Sequence, residues 1–176
     1  QQVVSSLLFE GLFRLDGSFE PQLCLCVSYT HDETASRYTF NLRPGVQFSD
    51  GSPLTGRDVK AALDRARTSE RYRSRLSGIS SISASGDSVT ITLNGPTAAL
   101  PALLDVPIVK SGGQEGVVPA GTGPYFYAEE ETGAYLIANQ SWWRGESQPL
   151  ERIALVEAAD GSALLYRFSS HEVQLI

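Results

Sequence analysis

The stretch Tyr38–Lys60 constrains the fold of this chain more than any other part of the sequence. It opens with Tyr38, Phe40 and Leu42 alternating with polar residues, a period of two that is typical of a strand with one buried face. A Pro-Gly pair interrupts the strand, and Asp50-Gly51 then has the composition of a second tight turn. The stretch therefore predicts a strand that is followed by two turns.

A helix is expected directly after these turns, starting at Thr55. Asp58 stands three residues later, the spacing of a capping box in which two side chains satisfy unpaired backbone donors at the start of a helix. The helix should run to about Arg67, because Val59 and Leu63 lie with two alanines on one narrow apolar stripe.

Other elements follow from the same periodicities. Apolar spacing predicts a helix over Val3–Phe13, with Gly11 as a left-handed residue that ends it. Alternation over Val89–Leu93 predicts a strand, and a hairpin is expected around Thr132-Gly133. A strand, a helix and a last strand at Val173–Ile176 would form a βαβ unit with a parallel strand pair.

Within Tyr38–Lys60, the run F-x-L-R-P-G-V-x-F-S-D-G-S-P-L-T-x-x-D-V resembles the signature of family 5 of the bacterial extracellular solute-binding proteins, which serve peptide and nickel ABC importers. Further stretches match that family in the same order: Leu8–Leu15, Gly121–Tyr125 followed by Trp142–Gly145, and Glu172–Ile176. The run is long and its turn residues have an unusual order, so chance agreement is a poor explanation.

This resemblance implies the fold. An α/β lobe is expected, with a mixed β-sheet flanked by helices and a small β-rich subdomain at about residues 44–120, as in type II (cluster C) periplasmic-binding proteins. Residues 1–176 would form the N-terminal portion of lobe I in a protein of two lobes, and the second lobe would be absent from this chain. An unfinished sheet edge would then allow the lobe to dimerise.

Charge narrows the range of partners. The 20 acidic and 14 basic residues give a net charge of −6, which argues against direct binding of nucleic acid. Five arginines nevertheless cluster between Arg65 and Arg75. They are interpreted either as a solvated helix face with its following loop, or as a rim that faces carboxylates, which Arg binds in a bidentate manner.

The two cysteines, Cys24 and Cys26, stand two residues apart. On a strand their side chains would share a face, and a disulfide between them would be strained. A metal site would need further ligands, and His31 and His171 are distant in sequence. We therefore expect two buried small side chains, with no metal and no cofactor.

Motifs of catalysis and phosphate binding are missing from the sequence. It contains no G-x-S-x-G elbow, no H-E-x-x-H, no phosphate loop and no C-x-x-C pair. The G-x-G of Gly121–Gly123 precedes a predicted strand, whereas a phosphate site of this kind uses the start of a helix. The chain is therefore predicted not to be an enzyme.

The resemblance also implies where ligand would contact this lobe, namely the loop after the long helix and the turn at Gly121–Tyr125. The candidate ligand-binding residues are Tyr72, Arg75, Thr122, Gly123 and Tyr125. Tyr72 would present an aromatic face and Arg75 a positive charge for a carboxylate of the ligand. Thr122 and nearby amides would form hydrogen bonds to a peptide backbone. The adjacent Trp142 and Trp143 are interpreted chiefly as scaffold, one in the core and the other partly exposed.

A member of this family would capture an oligopeptide or dipeptide by closure of two lobes and deliver it to ABC permease subunits. The protein would be extracellular or periplasmic, and its full-length form would be anchored to the membrane as a lipoprotein. The first residues, Gln1–Val4, lack the features of a secretory signal. The alternative is the solute-sensing domain of a transcriptional regulator whose DNA-binding region lies outside this chain. The sequence upstream of Gln1 would distinguish the two.

Overall fold

The structure is a computed structural model, and it describes residues 2–112, 118–156 and 160–170. The helices are α1 (Gln2–Leu8), α2 (Gly56–Thr68), α3 (Gly161–Ser169) and a short 3-10 helix (Leu100–Leu103). The strands are β1 (Phe13–Leu15), β2 (Pro21–Leu23), β3 (Cys26–His31), β4 (Arg37–Leu42), β5 (Ile79–Ser85), β6 (Ser88–Leu93), β7 (Tyr125–Glu130), β8 (Gly133–Ala138) and β9 (Arg152–Leu155).

The described strands form three sheets. β1 pairs with β2, a four-stranded sheet has the order β3-β4-β6-β5, and a three-stranded sheet has the order β7-β8-β9. Every pairing between these strands is antiparallel. The parallel pair expected at the end of the chain depends on Val173–Ile176, which lies outside the described residues.

The four-stranded sheet is where the sequence periodicity is confirmed. Tyr38, Phe40 and Leu42 of β4 are buried, and their polar neighbours face away from the core. The rings of Tyr38 and Phe40 stack with their centroids 5.9 Å apart. β6 shows the same alternation and pairs with β4 along its length, so one apolar face covers the largest hydrophobic cluster of the described chain.

The turns between β4 and α2 are those that the sequence predicted. Gly45 and Gly51 have φ angles of 75° and 81°, in the left-handed region that a side chain disfavours. Val46 and Phe48 are buried between the two turns, and the Phe48 amide donates to the Ser52 carbonyl. The chain therefore makes two tight turns between the end of β4 and the start of α2.

The start of α2 carries the predicted capping box at Thr55 and Asp58. The Asp58 carboxylate accepts hydrogen bonds from the Thr55 amide at 3.1 Å and from the Thr55 hydroxyl at 2.7 Å. Its other oxygen accepts a bond from the Ser111 hydroxyl at 2.8 Å and lies 3.9 Å from Lys110 Nζ. This buried carboxylate therefore joins α2 to the segment that follows the 3-10 helix.

A second, smaller hydrophobic cluster forms where α1 packs on the β7–β8 hairpin. Its buried members are Leu8, Tyr125, Leu136 and Ala138. The chain approaches α1 so closely here that a Cβ built on Gly121 would lie 2.0 Å from the Leu8 carbonyl oxygen. Only glycine fits at such a contact between two backbones.

The first helix is shorter than the sequence predicted. α1 ends at Leu8 instead of continuing to Phe13, which is the first residue of β1. Gly11 is buried and does not have a positive φ, so its predicted role as a left-handed terminator is wrong. The residue is required for packing, because a Cβ there would lie 2.9 Å from backbone atoms of Asp105 and Val106.

The larger cluster draws its buried residues from both sides of position 44, including Leu12 and Val106. The small subdomain predicted at about residues 44–120 stays a prediction.

None of the helices among the described residues has the length and the apolar character that a membrane-spanning helix requires.

We predict that Gly121→Ala destabilises the protein, because the added methyl group would overlap the Leu8 carbonyl oxygen. Overpacking of this kind lowers the free energy of unfolding by about 1–3 kcal/mol. Gly17→Ala is the matched control, since nothing lies within 4 Å of a Cβ at Gly17. Urea denaturation measures both variants, and equal stability of the two would contradict the close contact.

We also predict a pH-dependent effect of Asp58→Asn. Burial acts to raise the pKa of Asp58, but hydrogen bonds from Thr55 and Ser111, with Lys110 nearby, outweigh it and leave the pKa below its ordinary value. The ionised carboxylate thus stabilises the fold fully above the unfolded-state pKa of about 3.9, and this contribution is lost as pH falls through the lower folded-state pKa.

At pH 7 the variant should lose about 1–3 kcal/mol of unfolding free energy, and the loss should shrink as the pH falls below about 4. Glu33→Gln is the control, because Glu33 is exposed and has no hydrogen bond or ion pair within the described chain. Denaturation curves between about pH 2.5 and 7, a range that spans this pKa, would refute the assignment if the difference between wild type and Asp58→Asn were constant.

Candidate functional site

Two adjoining cavities form a surface groove beside α1. The larger has a volume of about 610 Å³ and the smaller about 390 Å³, and both are lined by Ser6, Phe9 and Asp105. The smaller cavity is completed by Ser5, Arg71, Tyr72, Arg75 and Pro107. The larger is completed by Glu10, Gly11, Phe13, Arg14, Leu15, Cys24, Pro124, Trp142, Arg144 and Glu146. We call the whole surface the α1 groove.

Tyr72 and Arg75, two of the predicted ligand-binding residues, meet in the smaller cavity. They lie on the turns after α2, where the Tyr72 amide donates to the Ser69 hydroxyl at 3.3 Å and the Leu76 amide donates to the Tyr72 carbonyl at 2.9 Å. The Tyr72 ring is half-buried and packs against the larger hydrophobic cluster. The ring is therefore held by the core while part of it faces the groove.

The Arg75 guanidinium is fixed from behind. Its Nε and Nη2 donate to the Leu103 carbonyl at 3.1 and 2.7 Å, and it forms an ion pair with Asp105. Burial lowers the pKa of Arg75, but an arginine stays charged at any physiological pH. Arg75 thus brings a fixed positive charge to the groove, already balanced by one carboxylate.

Arg71 joins the same cavity, although sequence analysis placed it only within the arginine cluster. Its guanidinium carbon lies 5.2 Å from the centre of the Tyr72 ring, and that of Arg75 lies 5.5 Å from the same point. Both distances are within the range of cation–π attraction. The aromatic surface of Tyr72 is therefore accompanied by two positive charges.

Thr122 is fully buried, and its hydroxyl donates to Glu10 Oε2 at 3.1 Å. The Trp143 indole nitrogen donates to the same oxygen at 2.6 Å. Arg144 Nε lies 3.9 Å from the other oxygen of Glu10, whose side chain is only 9% exposed. The nearly buried carboxylate of Glu10 thus joins α1, the turn at Thr122 and the segment after β8.

Trp142 and Trp143 are both half-buried, and their rings meet edge to face at 6.2 Å. Trp143 packs on the larger hydrophobic cluster, and the guanidinium carbons of Arg43 and Arg144 each lie 4.4 Å from its ring centre. Trp142 lines the groove, and its indole nitrogen is buried with no acceptor in the part of the chain that the structure describes. As predicted, one ring packs on the core and the other is partly exposed, but the core-facing Trp143 is itself only half-buried.

The other residues predicted in the Gly121–Tyr125 turn serve packing in this structure. The Gly123 amide donates to the Leu8 carbonyl at 3.0 Å, and its carbonyl accepts a bond from Asn139 Nδ2 at 3.0 Å. Tyr125 is buried, and its hydroxyl donates to the Leu150 carbonyl at 2.9 Å. The turn therefore packs against the end of α1, and direct contact of its residues with ligand stays a prediction.

Both cysteines are free and buried, as expected. Burial raises the pKa of Cys24 and that of Cys26 to about 11, so both are neutral thiols at physiological pH. The Cys24 sulfur lies 3.7 Å from Glu10 Oε1 and 3.8 Å from Arg144 Nη2. Across residues 2–112, 118–156 and 160–170, no three side chains of His, Cys, Asp or Glu come together in a way that could hold a metal ion.

Sequence analysis missed Glu10, Phe9 and Asp105 as parts of the site. The sequence did offer a signal for Glu10, because this residue is the one acidic side chain within the apolar run Leu7–Phe13. An acidic residue in such a run is buried only when it has partners. Asp105 offered no such signal, because its contact with Arg75 joins residues 30 positions apart in sequence.

Comparison with known proteins identifies the family. The sequence profile described as "Bacterial extracellular solute-binding proteins, family 5 Middle" matches residues 20–176. The glutathione-binding protein GsiB of Escherichia coli K12 is 33% identical over 137 residues, which cover 70% of this chain and 27% of GsiB. The chain thus spans about a quarter of the length of that relative.

Solved structures show the same fold. MoaA from A. tumefaciens R10, in complex with mannopinic acid, superposes with a TM-score of 0.83 at 25% identity. The match covers 97% of this chain and 38% of the MoaA chain. AppA from Bacillus subtilis, an oligopeptide-binding protein in complex with a nonapeptide, has a TM-score of 0.79 at 21% identity, with coverages of 98% and 38%.

These likenesses confirm the predicted α/β fold of the type II periplasmic-binding proteins. The family is one of solute binding and transport, in agreement with the absence of a catalytic motif from the sequence. With a profile that matches residues 20–176, the chain belongs to family 5 of the bacterial extracellular solute-binding proteins.

Proposed function

We propose that this chain supplies one wall of the ligand site in a protein that captures a small solute for an ABC importer. The observation that carries the proposal is the α1 groove, in which the half-buried ring of Tyr72 lies beside Arg71 and Arg75. A concave surface with one aromatic face and a few charged groups is the usual form of a small-molecule site.

The mechanism is reversible binding followed by closure of a second lobe over the α1 groove. Closure is favoured only by contacts that the solute makes with both lobes at once, because a ligand shifts a conformational equilibrium by its differential affinity for the two states. This function needs no covalent chemistry. Delivery to permease subunits would take place outside the cytoplasm, from a protein that we infer to be a lipoprotein.

A dipeptide or oligopeptide is the first candidate for the solute. GsiB, at 33% identity, is named for glutathione, which is itself a tripeptide. The lining of the smaller cavity supplies groups that suit a short peptide: the Tyr72 face for an apolar portion, the guanidinium groups for carboxylates and the Ser5 side chain for polar atoms. Mannopinic acid, the ligand of MoaA, makes opine-like compounds the second candidate.

We predict that a di- to pentapeptide panel, with glutathione included, raises the melting temperature of the complete protein. A ligand at about 100 times its Kd stabilises the folded state by about 2.7 kcal/mol. Differential scanning fluorimetry measures the shift, and a panel of opines and neutral sugars run in parallel is the comparison. A shift by opines or sugars without any shift by peptides would refute the peptide assignment.

We predict that Tyr72→Leu weakens solute binding by the complete protein, because leucine fills the half-buried position but removes the aromatic face. The expected loss is about 5- to 10-fold in Kd, the size of an aromatic contact of about 1 kcal/mol. Tyr135→Leu is the matched control, since Tyr135 is a half-buried tyrosine that contacts Arg152 on the β7-β8-β9 sheet, away from the α1 groove.

Isothermal titration calorimetry with the most stabilising member of the panel measures both variants. Equal loss in Tyr72→Leu and Tyr135→Leu, or no loss in either, would remove Tyr72 from the site. Melting temperatures without solute show whether the leucine variants remain folded.

A further inference from the structure

We propose that Arg71 makes one end of the α1 groove a carboxylate-recognising subsite, so that the solute is selected by its negative charge. This inference rests on the proposed function, because it assigns a chemical class to the solute of that same site. It names a residue that sequence analysis placed only in a cluster of five arginines.

The two guanidinium groups of the smaller cavity differ in what they already contact. Arg75 is paired with Asp105 and donates to the Leu103 carbonyl. Arg71 is exposed, its guanidinium lies over the Tyr72 ring, and it forms no hydrogen bond or ion pair among the described residues. Since Arg71 has no carboxylate partner there, its donors are available to a solute.

The contact with Tyr72 gives this exposed arginine a preferred position. A guanidinium 5.2 Å from a ring centre is attracted to the negative face of that ring, and this stacking leaves the N–H groups at its edge free to form hydrogen bonds. Tyr72 is itself held by the larger hydrophobic cluster. Arg71 can therefore present its donors to a carboxylate with a smaller entropic cost than a free surface arginine.

The lining disfavours the opposite charge. Asp105 is the only acidic residue among the residues of the smaller cavity, and its carboxylate is already paired with Arg75. A cationic solute would meet Arg71 without an available acidic partner. A carboxylate would instead form a charge-assisted hydrogen bond, which is stronger than a bond between neutral groups.

The net charge of the chain bears on how an anionic solute would be attracted to the α1 groove. The chain has a net charge of −6, which gives anions a weak long-range repulsion. Among the groups of this chain, attraction of an anionic solute would then come from short-range groups such as Arg71, since exposed charges of this kind act over about 8–10 Å at physiological salt.

The test compares each peptide that binds the complete protein with its C-terminal amide, in wild type and in Arg71→Gln. In wild type the amide should bind about 10- to 100-fold more weakly, the size expected for the loss of a hydrogen bond between charged groups. In Arg71→Gln the free-acid peptide should lose a similar factor, and the preference for acid over amide should disappear. Isothermal titration calorimetry measures all four combinations.

Arg57→Gln is the control for net charge, because Arg57 is exposed at the start of α2 and does not line the groove. It should keep both the affinity and the preference for the free acid. If wild type binds acid and amide equally, or Arg71→Gln keeps the preference, the carboxylate subsite is refuted while the proposed function stands. If no peptide, opine or sugar binds the complete protein, the proposed function is refuted and the subsite with it.

Discussion

The carboxylate of Glu10 is the interaction on which the arrangement of the α1 groove depends. It stands two residues after the end of α1 and accepts hydrogen bonds from Thr122 and Trp143, segments that are more than 100 residues away in sequence. A nearly buried carboxylate is costly unless donors surround it. Here the Arg144 guanidinium completes the set, so the end of α1 and the two distant segments are fixed together.

Phe9, which lines both cavities, lies directly between the end of α1 and Glu10. The contacts that fix Glu10 therefore also restrain the backbone that carries the Phe9 ring. Gly121 and Gly123 reinforce the position, because their lack of a Cβ lets the backbone pack directly against Leu7 and Leu8. Charge burial and close backbone packing thus act on the same few residues.

The sequence predicted those elements whose causes are local. The alternation of Tyr38, Phe40 and Leu42 and the capping pair at Thr55 and Asp58 each depend on spacings of two or three residues, and the structure has both. Periodicity of this kind is visible because neighbours in sequence share a face.

The features that were missed depend on distant neighbours. Gly11 was assigned a left-handed turn because glycine often ends helices, but its cause is the backbone of Asp105 and Val106, which no local pattern reveals. The ligand contact of Thr122 stays a prediction, and the hydrogen bond from its buried hydroxyl to Glu10, 112 residues away, is a contact that no local pattern indicates. Of the five predicted site residues, Tyr72 and Arg75 line the α1 groove beside α1, and they come from one loop, where sequence proximity already places them together.

If that loop is part of a ligand site, as we propose, its side chains are held in place before the solute arrives. The Tyr72 ring is held by the hydrophobic cluster, and Arg75 is held by the Leu103 carbonyl and Asp105. Side chains fixed in this way lose little further freedom on binding, which lowers the entropic cost of association. The affinity of this wall alone is nevertheless limited, because an open groove leaves much of a solute in water. In the mechanism that we propose, tight capture therefore depends on a second surface that closes over a wall whose geometry is already set.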